Sequence, residues 1–471
     1  MTSGEDSTRL LEEALAALRQ ALAVYTPNSW PQLWAKTQLG LGGLLYSKGR
    51  RRGGAEGRHL LTEAEEAIRR ALDVWTREQQ PILWALAYSV LGAVLVQQGS
   101  WSEGAESARL LTQAIRGERQ ALEVLPREHV LRAWGLVQEL LGATLVAQGT
   151  RRAGDAGAPL LAEAVGRYRQ SLEVYTPEHE WTLWGNGQGE LGNALVEQGI
   201  RRGGEEGKRL FAEAEGAYRQ ALAVSPRAYL PQDWAEWQHG LGRVLVEQAH
   251  ESEGPEADRL LAEAVEGYRQ ALEVRTREHM PHYWAETQTA WGTALVVQAQ
   301  HTPGEVGARL VTEAIARYRQ ALEVYTREHQ PQPWATTQTL LGAALVAQGM
   351  WSPGKEGARL LAEAVEAQQR ALEVQPREHL PQPWAMTQHY LGEALAAQGI
   401  QAGGGEASKL WLEQAVAAYQ RALEVRTRED LPGPWAQTHT RLADAYESIK
   451  KLEIRPPGAL PRAADPGRLP R

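Results

Sequence analysis

Tryptophan recurs at a fixed step of fifty residues, and this feature limits the possible folds of the chain more than any other. The spaced residues are Trp34, Trp84, Trp134, Trp184, Trp234, Trp284, Trp334 and Trp384, with Trp435 following after a one-residue insertion. Whole segments recur with the tryptophans. The segment "REHQPQPWATTQTLLGAALVAQG" at 327–349 returns fifty residues later as "REHLPQPWAMTQHYLGEALAAQG". A period of about 20 to 50 residues is typical of stacked repeats. The sequence therefore predicts one continuous repeat array over residues 1–452.

Each repeat holds two segments with helical periodicity. The first, the Trp helix, opens with proline, carries the tryptophan in its first turn and usually ends at glycine. The second, the Ala helix, has apolar residues at i, i+3, i+4 and i+7 with charges between them, as in "ARLLAEAVEAQQRALEV" at 358–374. Gly-rich loops separate them, and no alternating strand pattern is present. We predict an all-α chain of about nine helix pairs, from an Ala helix near 7–25 to a Trp helix near 433–452.

Composition narrows the classes of function. The chain has no cysteine, which excludes disulfides, thiolate metal sites and cysteine nucleophiles. Its net charge of -8 disfavours nucleic-acid and anionic-membrane binding, because both require basic surface. The polar N-terminus has neither a signal-peptide pattern nor a membrane-span pattern, so a cytoplasmic location is predicted. Residues 453–471 are rich in Pro, Arg and Gly and are predicted to be a disordered tail.

The repeated small and aromatic positions resemble those of the tetratricopeptide repeat (TPR) family, in a bacterial-type array with extended repeats. The residues that carry the resemblance in one copy are Leu341, Gly342 and Leu345 in the Trp helix and Ala314, Tyr318 and Ala321 in the Ala helix. The copies have fifty residues, whereas the usual unit of the family has about 34. The resemblance implies a right-handed superhelical solenoid of antiparallel helix pairs. It also implies that the Trp helices line a concave groove for a protein or peptide partner.

Several residue patterns look like chemical sites but are explained better as structure. The return-loop histidines His129, His179, His279, His329 and His379 are too far apart to share a metal, because stacked helices lie about 8–10 Å apart. The repeated tryptophans are interpreted as packing wedges, and Trp101 and Trp351 as the better candidates for exposed aromatics. Loops such as "RRGG" at 201–204 are interpreted as solvated turns. No nucleophile, base and orienter pattern is found, so we predict no enzyme activity, no metal and no cofactor.

Variation among the copies indicates where a partner binds. Positions two, five, six and nine residues after each tryptophan differ between repeats, while the packing positions recur. These positions are apolar in early copies, at Leu86, Val90, Leu136 and Leu140. In the centre they turn polar, and the predicted partner-binding residues are Asn186, Glu190, Asn193, Glu236, His239, Arg243, Glu286, Thr289 and Thr293. His389 and Glu393 continue the polar series.

The predicted function is a non-catalytic scaffold or adapter that binds a peptide or protein in the groove. Arg243 stands nearly alone among acids, so the basic clamp of some chaperone-binding family members is not evident and an anionic C-terminus is a disfavoured ligand. Three alternatives stay open: a regulatory subunit of a separately encoded enzyme, end-to-end self-association, or a groove face that is merely solvated.

Overall fold

The computed structural model describes residues 3–52, 54–102, 104–128, 130–152, 154–302, 304–352, 354–378, 380–429 and 431–454. Within these ranges the chain is all α-helical apart from turns and one short 3-10 segment, and it contains no strand. This confirms the predicted fold class. The chain divides into two compact units, Met1–Tyr229 and Leu230–Arg471.

Nine α-helices are described in each unit. Those of the first are α1 (Ser3–Val24), α2 (Pro31–Arg52), α3 (Gly54–Val74), α4 (Pro81–Trp101), α5 (Gly104–Val124), α6 (Leu131–Arg151), α7 (Ala158–Leu172), α8 (Trp181–Arg202) and α9 (Gly204–Val224), with a 3-10 turn at Gly154–Gly157. Those of the second are α10 (Pro231–His250), α11 (Pro255–Leu272), α12 (Pro281–His301), α13 (Glu305–Leu322), α14 (Pro331–Trp351), α15 (Gly354–Leu372), α16 (Pro381–Gln401), α17 (Gly405–Leu423) and α18 (Pro432–Ile454). Odd-numbered helices are Ala helices and even-numbered ones are Trp helices.

Consecutive helices pack against each other within each unit, most closely where a Trp helix meets the Ala helix that follows it. The predicted disordered tail falls almost wholly on residues 455–471, which lie outside the described residues. Glu453 and Ile454 belong to the last helix, two residues beyond the predicted end.

Proline and glycine set the helix boundaries. Proline is in the first turn of α4, α10, α12, α14 and α16, where its missing N–H breaks no helical hydrogen bond. Glycine with a positive φ stands before or at the start of seven Ala helices, α3, α5, α9, α11, α13, α15 and α17, for example Gly254 at φ +59°. Any other residue would be strained in this left-handed conformation, so the glycine-rich loop stops one helix and starts the next.

A small residue facing a large one determines how closely the helices of a pair approach. In α8, a Cβ atom on Gly192 would lie 2.9 Å from the ring of Tyr218 in α9, and in α12 a Cβ on Gly292 would lie 2.7 Å from the ring of Tyr318. The same contact joins Gly142 to Tyr168 at 2.9 Å. Glycine is required at this position because the aromatic ring occupies the space of a side chain.

The tryptophans that define the period are packing residues, although most are half-buried rather than fully buried. Trp84 is buried in the core of the first unit, and Trp34 and Trp134 pack against that core. The outer faces are covered by return-loop arginines. Arg127 lies 4.9 Å from the ring centroid of Trp134, and equivalent contacts join Arg77 to Trp84, Arg277 to Trp284, Arg377 to Trp384 and Arg428 to Trp435.

One helix of the described residues, within α4 at Pro81–Ser100, is long and apolar enough to cross a membrane by length and composition alone. Its residues Ala85, Ala87, Leu91 and Val94 are buried against neighbouring helices. This helix therefore packs within the array. One apolar helix of this length is weak evidence for a membrane span.

Candidate functional site

The first unit contains a buried acidic cluster, formed by Glu118 of the Ala helix α5 with Glu139 and Glu190 of the Trp helices α6 and α8. Glu118 of α5 is 0% exposed, and the Thr144 hydroxyl donates to its Oε1 at 3.0 Å. Its Oε2 has no hydrogen-bond partner among the described residues, and the same holds for Glu139 Oε1 and for the hydroxyl of Tyr168. Glu190 adds a like charge beside Glu139. The cluster thus brings three carboxyl groups into a poorly solvated region, where the charged form is disfavoured.

The three predicted binding residues of the first unit lie on α8 beside this cluster. The amide of Asn193 donates to Glu190 Oε2 at 3.4 Å, and its Oδ1 accepts a hydrogen bond from the Tyr218 hydroxyl at 2.6 Å. Asn186 is half-buried, and its Oδ1 atom is enclosed, with no hydrogen-bond partner among the described residues. Two of the three side chains are therefore fixed by internal contacts, and the amide oxygen of Asn186 is closed off from solvent.

Burial raises the pKa of the Glu118 carboxyl to about 8 and that of Glu139 to about 8, with the charge of Glu190 adding to the shift at Glu139. A carboxyl whose pKa is higher in the folded chain than in the unfolded chain keeps its proton on folding. The unfolding free energy therefore falls as pH rises from about 4.5 to about 8, and the loss is complete above that range.

Replacing Glu118 with glutamine is expected to remove its share of this pH dependence. Glutamine already occupies the equivalent position at Gln368, where its Nε2 donates to the Thr339 carbonyl at 2.9 Å. Relative to wild type, Glu118→Gln should gain up to about 4 kcal/mol in unfolding free energy between pH 5 and pH 9. Urea unfolding at several pH values measures this gain. Glu123→Gln, at the exposed end of the same helix, serves as the control, and equal pH profiles for the two variants would contradict the assignment.

In the second unit, the predicted acidic residues surround a buried arginine that the sequence reasoning missed. Arg275, at the end of the α11 segment, is 1% exposed. Its Nη2 donates to Glu236 Oε2 at 2.5 Å, and its Nη1 lies 3.5 Å from Glu286 Oε2. The guanidinium also stacks over the ring of Tyr283 at 5.0 Å from the centroid. Glu236 and Glu286 remain 39% and 45% exposed at their side chains, so a buried cation holds two carboxylates that still reach solvent.

His239 is buried rather than open to a partner. Its Nδ1 lies 3.3 Å from the Thr287 hydroxyl, which in turn accepts a hydrogen bond from Arg275 Nη1 at 3.1 Å. Burial lowers the pKa of His239 well below its usual range, and the charges of Arg275 and Arg243 lower it further. The imidazole is therefore neutral at physiological pH, and its contact with Glu286 at 4.0 Å is not an ion pair.

The contact of His239 is one rung of a repeated arrangement, here called the threonine ladder. In each rung, the threonine three residues after a tryptophan contacts the side chain five residues after the preceding tryptophan. The rungs are Thr287 with His239, Thr337 with Thr289, Thr387 with Thr339, and Thr438 with His389, at 3.3, 3.3, 2.9 and 3.1 Å. The five-residue position thus contacts a threonine inside the protein in all four rungs, so its variation alone does not indicate a ligand.

The remaining predicted residues also have internal neighbours. The Thr293 hydroxyl donates to the Thr289 carbonyl at 3.1 Å and lies 3.2 Å from the Tyr318 hydroxyl. Arg243 is half-buried on α10 near His239. Among the predicted residues of this unit, Glu236 and Glu286 are held in place by Arg275, and their side chains are still 39% and 45% exposed.

A second buried arginine stands near the end of the array. Arg426 is 8% exposed, and its Nη1 donates to the Thr438 hydroxyl at 3.1 Å, next to His389. Burial lowers the pKa of His389 to about 3, with Arg426 and Arg441 contributing. Glu393, which continues the predicted polar series, accepts a hydrogen bond from Arg441 Nε at 2.9 Å.

The sequence does contain a signal for these missed charges. The segment "EVRTRE" at 273–278 and 424–429 has arginine where "EVYTRE" at 323–328 has tyrosine, and Glu118 stands where Tyr168 stands one repeat later. A charged residue at a position that other copies fill with a large buried side chain predicts a buried charge. Comparing the repeats at their packing positions, as well as at their surface positions, identifies these buried charges from the sequence.

Other sequence candidates have structural roles. His179, His279 and His329 are exposed, and the backbone N–H groups of the last two donate to Thr276 and Thr326 in their return loops; His129 and His379 lie outside the described residues. No group of histidine and acidic side chains in the described part of the chain could hold a metal ion.

Two expectations about the loops were wrong. Arg201 of the "RRGG" loop is not merely solvated, because its guanidinium donates to the carbonyls of Gly149 and Thr150 at the end of α6. Trp101 and Trp351 are half-buried rather than exposed, and each packs against the core of its unit. Arg201 pairs with carbonyls at the end of a helix in the preceding repeat, and the two tryptophans cover apolar surface. The repeat pattern in the sequence did not reveal these contacts.

No protein-family model matches this sequence, and no curated protein matches it. Among solved structures, the chain is similar to the apo form of RapI, with 12% identity, a TM-score of 0.42 and coverage of 70% of this chain and 99% of that chain. It is also similar to yeast Tom70 (12%, TM-score 0.29, 94% of each chain) and to the TPR domain of P58(IPK) (12%, TM-score 0.25, 95% and 96%). What this chain binds must be inferred from its own residues.

Proposed function

We propose that this protein is a non-catalytic scaffold that binds a peptide or protein partner on the variable faces of its Trp helices. The observation that carries the proposal is the acidic surface of the second unit, where Glu236 and Glu286 are exposed and yet fixed by Arg275. Fixed polar groups lose little conformational entropy when a partner binds, so they contribute more to affinity and specificity than mobile surface carboxylates do. Basic groups and backbone N–H groups are the complementary chemistry.

The first unit supplies a different surface. Leu136 on α6 is 39% exposed, and Leu86, Val90 and Leu140 lie half-buried on the same type of helix face. An apolar surface of this kind suits the hydrophobic side chains of an extended or helical segment. The surface of the first unit therefore favours apolar groups of a partner, and that of the second unit favours basic groups.

Capture of partners from native lysate, followed by mass spectrometry, tests the proposal. The test variant combines Glu236→Thr, Arg275→Gln and Glu286→Met, which reproduces the natural neutral set of Thr336, Gln375 and Met386 at the equivalent positions. In that natural set the Thr387 hydroxyl donates to Gln375 Oε1 at 2.7 Å, so the packing has a precedent within this chain. The variant removes two carboxylates and one guanidinium, and the control Glu256→Gln on α11 changes the net charge equally.

A partner captured by wild type and by the control, but lost from the neutral variant, is the expected result. Equal capture by all three proteins would mean that this acidic surface is not the binding site. If no protein is enriched by wild type over a blank matrix, the scaffold role itself is contradicted, and light scattering then tests self-association. Co-purification with a single enzyme would identify the scaffold as a regulatory subunit.

A further inference from the structure

Two buried arginines occupy the same position of the repeat but have different neighbours. Arg275 and Arg426 each follow the "EV" that ends an Ala-helix segment, and each donates from Nη1 to a threonine hydroxyl at 3.1 Å. In each case that threonine contacts the Nδ1 atom of a histidine. The surroundings of the two guanidinium groups are therefore matched in hydrogen-bonding partner and in burial.

The difference between them is the pair of carboxylates. Arg275 is held by Glu236 and Glu286, each located two residues after a tryptophan. At Arg426 the equivalent positions are Met386 and Gln437. Among the described residues no carboxylate oxygen lies within 4.0 Å of the Arg426 guanidinium, and its one hydrogen bond goes to the neutral hydroxyl of Thr438. A buried guanidinium without a carboxylate is costly, because arginine stays charged at any physiological pH.

The charges around Arg426 do not supply the missing partner. Glu393 is already engaged by Arg441, at 2.9 Å from Nε, and Asp444 lies 3.8 Å from Arg441 Nη1. His389, packed against Tyr419, is neutral. Glu393 therefore pairs with Arg441, and among the described residues it does not come within 4.0 Å of the Arg426 guanidinium.

We propose that Arg426, with Thr438 and the exposed edge at Gln437, forms a binding site for a carboxylate supplied by another molecule. The matched site shows the geometry that the fold provides, since at Arg275 two carboxylates occupy the equivalent place and remain 39% and 45% exposed. A carboxylate arriving from solvent can therefore reach the equivalent place beside Arg426. The bond formed is a charge-assisted hydrogen bond in a partly desolvated site, which is stronger than an exposed surface pair.

This inference deepens the proposed scaffold function by naming one chemical group of the partner, a side-chain or C-terminal carboxylate. The site differs from a clamp of basic residues along the Trp helices, because its cation comes from the return segment after α17. It also revises the expectation from sequence that a partner with an anionic terminus is disfavoured, since that expectation considered Arg243 and not the arginines of the return segments.

The site can be tested without a known partner by NMR of the full chain labelled with ¹⁵N-arginine. The Nε–H resonance of Arg426 is assigned by its loss in Arg426→Gln, and that of Arg275 by its loss in Arg275→Gln. At constant ionic strength the protein is titrated with N-acetylglycine, which offers a C-terminal type of carboxylate, and with N-acetylaspartic acid amide, which offers a side-chain carboxylate. N-acetylasparagine amide is the uncharged control. A double variant, Met386→Glu with Gln437→Glu, supplies the carboxylates that Arg275 has.

We expect a saturable shift of the Arg426 resonance with the carboxylates and none with the uncharged control. The larger response of the two acids identifies the source of the group. In the double variant the apparent affinity should fall at least about tenfold, because the site is then filled from within the chain. A shift that does not saturate, an equal shift at Arg275, or unchanged affinity in the double variant would overturn the inference. Because no partner is needed, these outcomes are independent of the lysate experiment that tests the scaffold function.

Discussion

Replacing Gly192 with leucine is expected to destabilise the first unit by about 3 kcal/mol. The Cβ atom alone would lie 2.9 Å from the ring of Tyr218, and the rest of the leucine side chain has no space in the contact between α8 and α9. The ring cannot turn aside easily, because its hydroxyl donates to Asn193 Oδ1 at 2.6 Å. Thermal unfolding followed by circular dichroism measures the loss, and hydrogen exchange should show it first in these two helices.

Gly216→Leu is the matched control for this change. Gly216 lies in the interior of α9, yet no atom beyond its chain neighbours and its own helix lies within 4 Å of the place that its Cβ would take. Leucine there should be neutral or stabilising by about 0.5–1 kcal/mol, because it favours the helix more than glycine does. If both variants lost the same stability, the cause would be a general intolerance of glycine replacement, and the close approach of the two helices would not explain it.

Replacing Arg275 with methionine should have the opposite consequence from the same replacement at Arg426. Arg275→Met leaves Glu236 and Glu286 without their buried cation, and breaking a buried pair costs about 3–5 kcal/mol. Because the two carboxylates are 39% and 45% exposed, they can be rehydrated, and a loss of about 2–3 kcal/mol is expected. Arg426→Met removes a buried charge that has no carboxylate, so its unfolding free energy should be unchanged or higher.

Urea unfolding of the two variants at pH 7 measures this contrast. Adding Glu236→Gln and Glu286→Gln to Arg275→Met should recover most of the lost stability, since no uncompensated carboxylate then remains. Equal destabilisation by Arg275→Met and Arg426→Met would show that the two arginines stabilise the fold in the same way. The difference between Met386 and Glu236 at the equivalent position would then have no energetic consequence.

Much of the fold could be predicted because each requirement is local and is repeated. Proline at the start of a Trp helix and a positive-φ glycine such as Gly254 act on their own stretch of backbone, so their effect is readable without knowing what packs nearby. Gly342 belongs to the repeated pattern of small residues, and the structure shows the cause, since a Cβ atom there would clash with the Gln368 side chain as one at Gly292 would clash with Tyr318. Repetition of each signal made the helix count and the pairing readable.

The candidate site was predictable only in part, because exposure and pairing depend on neighbours fifty residues away. His239 looked like a free groove residue, but Thr287 of the next Trp helix and Tyr268 of the intervening Ala helix bury it. Glu236 was assigned to the groove without the cation that orients it, since Arg275 lies outside the Trp helices. Variation between repeats therefore includes positions that are buried against neighbouring helices, and it does not by itself identify a ligand-facing surface.

The sequence by itself determined the period, the helical class, the helix boundaries and the small residues where helices meet, because backbone sterics and hydrophobic periodicity act over a few residues. Only the tertiary structure decided which polar residues are buried, which carboxyl groups keep their protons, and which of two identical arginines has carboxylate partners. Those properties depend on electrostatic interactions in a desolvated interior. For Arg426, what matters is that Met386 and Gln437 stand where Arg275 has glutamates, and neither residue is next to Arg426 in the chain.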